Sequence, residues 1–240
     1  MTEKIEGIVV AIVRHSDRHN VVTLYTRSRG RVSLLCSVGA GRNARLRNAR
    51  LQLLSVIESD VSFRPGRDLT LLGQFAPARI WRDIYFSPPK MGLLFFLAEF
   101  LNRFLKTEGP ETLTYDYIVE ELQRLDNLRS GVGNFHLSFL IGLLEISGIS
   151  PDVAQYEKGD WFDMRTAEFT PFRPLHNDRL APEEARVAAA LLRLGRQGIM
   201  RLPLDRIRRA AILDSLLRYY SIHFPGLGQL TSMEILRELY

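Results

Sequence analysis

Two hydrophobic periods divide the chain. Up to about residue 82 the apolar positions fall in short runs, 5–13, 21–26, 32–36, 51–61 and 69–80, separated by turn residues. The second run, Val21-Val22-Thr23-Leu24-Tyr25-Thr26, is dense in β-branched side chains, which suit a pleated, half-buried surface. Gly30 parts it from the third, so 27–30 reads as a hairpin turn, and Pro65-Gly66 marks another. Closing five such strands into a small barrel would remove their exposed edges, and the pattern predicts an OB-type barrel.

Beyond residue 82 the period becomes helical. Pro88-Pro89 opens a segment running to Lys106 that is apolar nearly all round and must be buried among other helices. Residues 112–128 form a more amphipathic helix with Glu120 and Glu121 expected outward. Asn134 stands where it could cap a very apolar helix over 135–146, which Gly148 ends. Further helices are expected over 182–194, 205–222 and 231–239, the last with Thr231 and Glu234 at capping-box spacing. The expected organisation is multidomain α+β. A five-stranded OB-type β-barrel spans 1–80, and an all-α helical domain spans 81–240 with an irregular insert around 150–180.

Charge sharpens this division. The 240 residues carry a formal net charge of +5, but residues 1–82 hold 14 basic and 6 acidic side chains, so the remainder is mildly acidic. Arginine supplies nearly all of the positive charge, since the only lysines are Lys4, Lys90, Lys106 and Lys158. A guanidinium is a planar fork of donors suited to phosphate, so the first half is expected to meet a polyanion. One cysteine, Cys36, excludes an internal disulfide framework and a cysteine-rich zinc site, and fits a reducing compartment. Residues 2–6 are polar, and the most apolar window, 91–98, stops at Glu99, so neither a secretory signal nor a membrane span is expected.

Catalytic signatures are missing. The chain has no phosphate-cradling glycine-lysine loop, no serine elbow and no zinc-protease histidine pair. His15 and His19 are four apart but fall in a strand turn around Arg18, and they read as surface histidines. Cys36 lies in a strand run with no suggested partner. No enzyme activity, cofactor or metal site is expected.

The strongest local signal is residues 39–50, GAGRNARLRNAR, with Arg42, Arg45, Arg47 and Arg50 and no acidic residue. A basic loop behind mobile glycines can follow a sugar-phosphate backbone in many registers, which suits sequence-independent binding. Arg27, Arg29 and Arg31 surround the Gly30 turn, and Arg14 and Arg18 flank the turn before the second strand. Together these could form one basic rim on a closed barrel. Tyr25, Phe63 and Phe75 are the nearby aromatics, with a core role weighed above base stacking. Arg206, Arg208 and Arg209 begin a helix against its dipole and could contact an acidic peptide or DNA.

These features in this order resemble the RecO family of bacterial recombination mediators. The resemblance runs through Gly7-Ile8-Val9, Thr23-Leu24-Tyr25-Thr26, Gly30-Arg31-Val32 and Val38-Gly39-Ala40-Gly41-Arg42. It continues through Lys90-Met91-Gly92, Leu97-Ala98-Glu99-Phe100-Leu101, Asn134-Phe135-His136-Leu137-Ser138-Phe139-Leu140, Trp161-Phe162-Asp163-Met164, Pro174-Leu175-His176 and Thr231-Ser232-Met233-Glu234-Ile235-Leu236. It implies binding of single- and double-stranded DNA, ATP-independent annealing, and binding of the acidic C-terminal tail of single-stranded DNA-binding protein. It also implies that, with RecR, the chain helps RecA replace that protein on DNA, in a cytoplasmic, nucleoid-associated setting. Many members hold zinc with four cysteines where this chain has none, over roughly 150–180, so packing around Trp161, Phe162, Phe169 and Phe172 is expected to replace the metal. The other readings are an RNA-binding OB module and a non-enzymatic scaffold for acidic proteins.

Overall fold

The computed structural model describes residues 2–39, 41, 48–63, 69–106 and 109–239. Chain packing sorts them into two compact units, residues 1–127 with 230–233, and residues 128–229 with 234–240.

The first unit is built on six strands: β1 (Thr2–Arg14), β2 (His19–Thr26), β3 (Gly30–Ser37), β4 (Val56–Ser62), β5 (Thr70–Leu71) and β6 (Phe75–Pro77). The sheet order is β5-β3-β2-β1-β4-β6. Of the expected strands, the run 69–80 behaves differently from a single strand. Its first part pairs with β3 (Leu34 opposite Thr70) and its second with β4 (Ser59 opposite Phe75), so one bent run joins both edges of the sheet. The sheet thereby curls on itself as an OB-type barrel.

Side-chain parity explains the interior. Ile5 and Val9 of β1 face the barrel core with Val22 and Leu24 of β2, while Ile12 packs against the same cluster. An odd-to-even switch needs one extra residue, and the β1–β2 register shifts between Val9 and Ala11, leaving Val10 as a bulge. Leu34, Cys36, Leu51, Ile57, Val61 and Leu72 complete the cluster. Cys36 is thus a small core side chain. On the opposite face Tyr25 is fully buried beside Tyr115, with ring centroids 6.3 Å apart, so it serves packing.

This unit also contains α1 (Pro88–Phe104) and α2 (Thr112–Asn127). The apolar character of α1 is spent on burial, including Leu93, Phe96, Leu97 and Phe100. Lys90 is also buried. Its Nζ donates to the Asp126 carbonyl at 2.8 Å and pairs with Asp83 at 2.7 Å. The Asp126 carboxylate accepts the backbone N–H groups of Arg82, Asp83 and Ile84, each at 2.8 Å, and so fastens the 82–84 turn to the end of α2. Burial would raise that carboxyl, but the hydrogen bonds outweigh it and hold it below its ordinary value. Glu121 is not outward as expected. It is buried and paired with Arg124, while Glu120 is exposed.

Glu99 on α1 replaces the expected capping box at residue 231. Its Oε1 accepts from Thr231 N (3.0 Å) and Oγ1 (3.1 Å), and its Oε2 accepts from Ser232 N (2.7 Å) and Oγ (2.6 Å). Burial alone would raise this carboxyl, but those bonds prevail and hold it at about 2.

The second unit contains α3 (Phe135–Ile146), α4 (Pro182–Met200), α5 (Arg206–His223) and most of α6 (Met233–Leu239). Nearly all of α3 is buried, and α4 and α5 both pack on it. Asn134 precedes α3 as expected but does not cap it with its side chain. Instead Nδ2 donates to the carbonyls of Ile199 (3.0 Å) and Leu202 (2.8 Å), while Oδ1 accepts from Arg209 Nε at 3.0 Å. Gly195 breaks α4 internally with φ 61°, a conformation that favours glycine.

A small antiparallel sheet, β7 (Trp161–Asp163), β8 (Glu168–Thr170) and β9 (Arg179–Leu180), occupies the expected irregular insert. Phe162 and Phe169 meet as tilted rings with centroids 4.9 Å apart, and Phe162 also meets Tyr219 at 5.8 Å. The expected aromatic packing is therefore present but includes Tyr219 and excludes Phe172, which is 80% exposed. Trp161 is half-buried, with Arg173 and Arg179 over its ring at 5.6 and 5.8 Å. Among the described residues no cluster of three or more His, Cys, Asp or Glu could hold a metal. No described helix is long and apolar enough to cross a membrane.

Candidate nucleic-acid interface

Strand order divides the expected basic rim into two ends. The β1–β2 turn (15–18) and the segment after β3 lie together, because His19 pairs with Ser37 and Val38 N donates to the Arg18 carbonyl at 2.8 Å. The β2–β3 turn (27–29) lies at the far end of β2, where Thr26 pairs with Gly30. Over the eight residues of β2, at roughly 3.3 Å per step, the ends are roughly 23 Å apart.

Arginines at the Gly30 end are engaged. Arg27 pairs with Asp116 at 2.9 Å. Arg29 donates through Nε to Glu3 at 2.5 Å and lies 4.3 Å above the Phe63 ring. Its hydrogen bond holds the Glu3 carboxyl below the ordinary value. Arg31 reaches the C-terminal end of α1, donating to the carbonyls of Asn102 (2.8 Å) and Leu105 (3.2 Å) and to Asn102 Oδ1 (2.7 Å). It thus satisfies carbonyls a helix end leaves open. Burial lowers its pKa from the ordinary guanidinium value. Gly30 makes this approach possible: at φ +67°, a Cβ there would stand 2.1 Å from the Gly109 carbonyl oxygen.

The other end is open. Ser16 Oγ accepts the backbone N–H groups of Arg18 (3.3 Å) and His19 (3.1 Å), shaping the turn so that Arg18 stands exposed. The Arg18 side chain makes no hydrogen bond or ion pair among the described residues; Arg50, in the segment between β3 and β4, is also exposed and makes none there. Arg14 pairs with Asp17 at 2.5 Å, but both side chains are largely in solvent, where such a pair contributes little and re-pairs readily. His15 is exposed here and His19 half-buried. Arg42, Arg45 and Arg47 lie outside the described residues.

A second basic stretch escaped the sequence reading. Arg79 and Arg82 are exposed, and between and after them stand two exposed apolar residues, Ile80 (77%) and Phe86 (78%). Neighbouring acids are occupied: Asp83 by Lys90 and Asp126 by backbone N–H groups. The segment is held to the barrel by Trp81 Nε1 donating to the Leu54 carbonyl and Tyr85 Oη to that of Leu53, both at 3.0 Å. Its signal was the alternation of arginine with apolar residues over 79–86, which a domain boundary placed there obscured. Phe63 and Phe75 are half-buried against the core, so Phe86 is the aromatic of this region that meets solvent.

In the second unit Arg209 is committed to Asn134 and the Leu204 carbonyl. Arg206 and Arg208 are exposed, Arg208 loosely facing Asp205 at 3.5 Å. Asp205 caps α5 by accepting from Arg208 N at 2.8 Å, the compensation that a basic first turn calls for.

A curled OB-type barrel followed by a helical domain defines the class of OB-fold proteins with an appended helical domain. Family models narrow this: Recombination protein O N terminal matches residues 1–81 and Recombination protein O C terminal matches 86–233. The chain belongs to the RecO family of DNA repair proteins. It is similar to the DNA repair protein RecO of Phocaeicola vulgatus, 33% identical over 240 residues and the full length of both chains. That of Bacteroides fragilis is 32% identical over 241 residues, again at full length of both. That of Porphyromonas gingivalis is 28% identical over 239 residues, 98% of this chain and 97% of the relative.

Proposed function

We propose that this chain is a non-enzymatic mediator that binds single- and double-stranded DNA through the open end of its barrel and anneals complementary strands without ATP. The observation that supports this most is the asymmetry between ends: Arg27, Arg29 and Arg31 have protein partners, whereas Arg18 at the opposite end has none among the described residues. Arg14, Arg18, Arg42, Arg45, Arg47 and Arg50 are assigned to phosphate, with Arg79 and Arg82 extending the track. Cations that neutralise both backbones lower strand repulsion, so bases can pair. Arg27, Arg29 and Arg31 are assigned to holding the barrel. The family membership supports the finer role, with RecR and RecA, on DNA coated by single-stranded DNA-binding protein, whose acidic tail is a protein ligand of the helical domain. The barrel domain is taken as 1–80 and the helical domain as 81–240.

The test is the salt dependence of oligonucleotide affinity. Replacing Arg42, Arg45, Arg47 and Arg50 by Ala should reduce the log–log slope on single strands by about 3, at roughly 0.7 per phosphate contact. Arg31→Ala should leave the slope unchanged. An unchanged slope in the loop variant refutes the assignment, and equal or tighter binding of RNA would favour an RNA-binding module instead.

A further inference from the structure

Between the last strand of the barrel and α1, residues 79–87 present two largely exposed apolar side chains, Ile80 and Phe86, with the exposed Arg79 and Arg82 beside them. A single apolar side chain in solvent is commonplace, but Phe86 is held there by the backbone around it. Ala78 N donates to the Val56 carbonyl at 2.8 Å, the Asp126 carboxylate fixes the N–H groups of residues 82–84, and Phe86 N donates to the Asp83 carbonyl at 2.9 Å. Asp83 is itself paired with Lys90. Phe86 also stands just before Ser87, the cap residue of α1, where an apolar side chain commonly packs against the fourth helical position, here Met91. Its exposure shows that this contact covers little of the ring.

We propose that Phe86 is a stacking platform for an unpaired nucleobase, set beside the phosphate track that the reading above assigns to the barrel and on which this role rests. Position ties the two together. Trp81 Nε1 and Tyr85 Oη donate to the carbonyls of Leu54 and Leu53, three and four residues along from the exposed Arg50 in reverse order. At most about 11 Å of extended chain separates Arg50 from Leu53, a span of roughly three nucleotides in a stacked strand. The segment that presents Phe86 is therefore fastened at the root of the arginine-rich stretch 39–50.

Charge selects the occupant. The Arg82 side chain has no partner among the described residues, and Arg79 gives one N–H of its fork to the Ala78 carbonyl at 2.9 Å. A nucleotide satisfies both kinds of group at once, its base against the ring and its phosphate against a guanidinium. Every base has a π-face, so the contact is blind to sequence. It forms only with a base that lies outside the duplex stack. Phe86 thus grips a single strand and lets go as that strand pairs, whereas the arginines hold single and double strands alike. The ring therefore sets the preference between the two forms, which charge alone does not.

The experiment measures fluorescence anisotropy of the full chain with a labelled thymidine strand, the same strand with abasic sites, and a duplex of equal length. Phe86→Ala should weaken the thymidine strand by about fivefold or more at an unchanged salt slope, because stacking releases no counterion. The abasic strand should already bind the parent chain more weakly, and Phe86→Ala should change its affinity and that of the duplex by less than about twofold. Phe86→Trp should keep or tighten single-strand binding. Phe86→Leu keeps apolar bulk without the ring and should behave as Phe86→Ala does. Equal loss on all probes in Phe86→Ala, unchanged binding of its thymidine strand, or full binding by Phe86→Leu overturns the proposal and leaves the phosphate track standing. A parent chain that binds none of the probes overturns both. A concentration-dependent dimer in sedimentation that Phe86→Ala converts to monomer also overturns the proposal, because a second copy then covers the ring.

Discussion

The clasp on Glu99 makes a quantitative prediction about acid stability. Four donors from Thr231 and Ser232 converge on one carboxylate, and Arg103 pairs with it from the same helix at 2.5 Å. The group is held at about 2, against an ordinary value of 4.5. A depressed carboxyl stabilises the fold above its unfolded pKa and loses that contribution as pH falls toward its folded pKa. The window here runs from about pH 5 to pH 2. A difference of about 2.5 pK units corresponds to about 3 kcal/mol at pH 7, of which about 2 kcal/mol is gone by pH 3. Glu99→Gln keeps the shape but removes the charge and leaves some donors unmet, so it should cost about 2–3 kcal/mol at pH 7. Urea unfolding of both proteins at a series of pH values measures this directly. The wild-type advantage should shrink steadily between pH 5 and pH 3. An advantage that is constant across that range would show that the clasp does not stabilise through its charge, and would refute the reasoning.

Other predictions address the remaining features. Arg18→Ala and Arg50→Ala should each lower the single-strand salt slope by about 0.7 without changing the melting temperature, read by oligonucleotide titration and thermal unfolding. Arg31→Ala should do the reverse: the slope stays, and stability falls by about 2 kcal/mol as the α1 carbonyls lose their donors. Gly30→Ala combines a left-handed backbone with a Cβ placed 2.1 Å from Gly109, and should cost at least about 2 kcal/mol in a denaturant titration. Asn134→Ala removes three hydrogen bonds around the start of α3 and should destabilise by about 2–3 kcal/mol, seen as earlier hydrogen exchange over 199–204.

Local pattern carried most of the architecture. Strands β1 to β3 and helices α1 to α6 lie close to the positions that periodicity and punctuation indicate, because apolar spacing, proline and glycine act over a few residues. Contacts distant in sequence were the part that could not be read. The run 69–80 looks like one strand because its apolar content is continuous, and only the two separate edges it must reach show why it bends at 72–74. Asn134 and Thr231 each have a plausible local role that a distant partner takes over, and Glu121, expected outward, is buried and paired with Arg124 on its own helix. The site shows the same limit. Arg27, Arg29 and Arg31 surround the Gly30 turn and read as part of one basic rim, but their partners Asp116, Glu3 and Asn102 stand 26 to 89 positions away along the chain, beyond the reach of any local pattern. Arg79 and Arg82 lie on either side of Trp81, where the hydrophobic period changes, and a surface that straddles such a change shows in the pattern of neither half.

Arg31 also bears on where this chain can be divided. Its guanidinium is half-buried, and all three of its acceptors lie on Asn102 and Leu105. A fragment ending at residue 80 would keep every strand of the barrel yet leave that cation without an acceptor and α1 unavailable to cover β1. During synthesis the same holds for the nascent chain: the barrel's pairing can complete once residue 77 has emerged, but the β2–β3 turn is fastened only after residue 105 follows. The smallest piece expected to fold with its hydrogen bonds intact therefore ends beyond α2, some 50 residues past the point where the strand pattern stops.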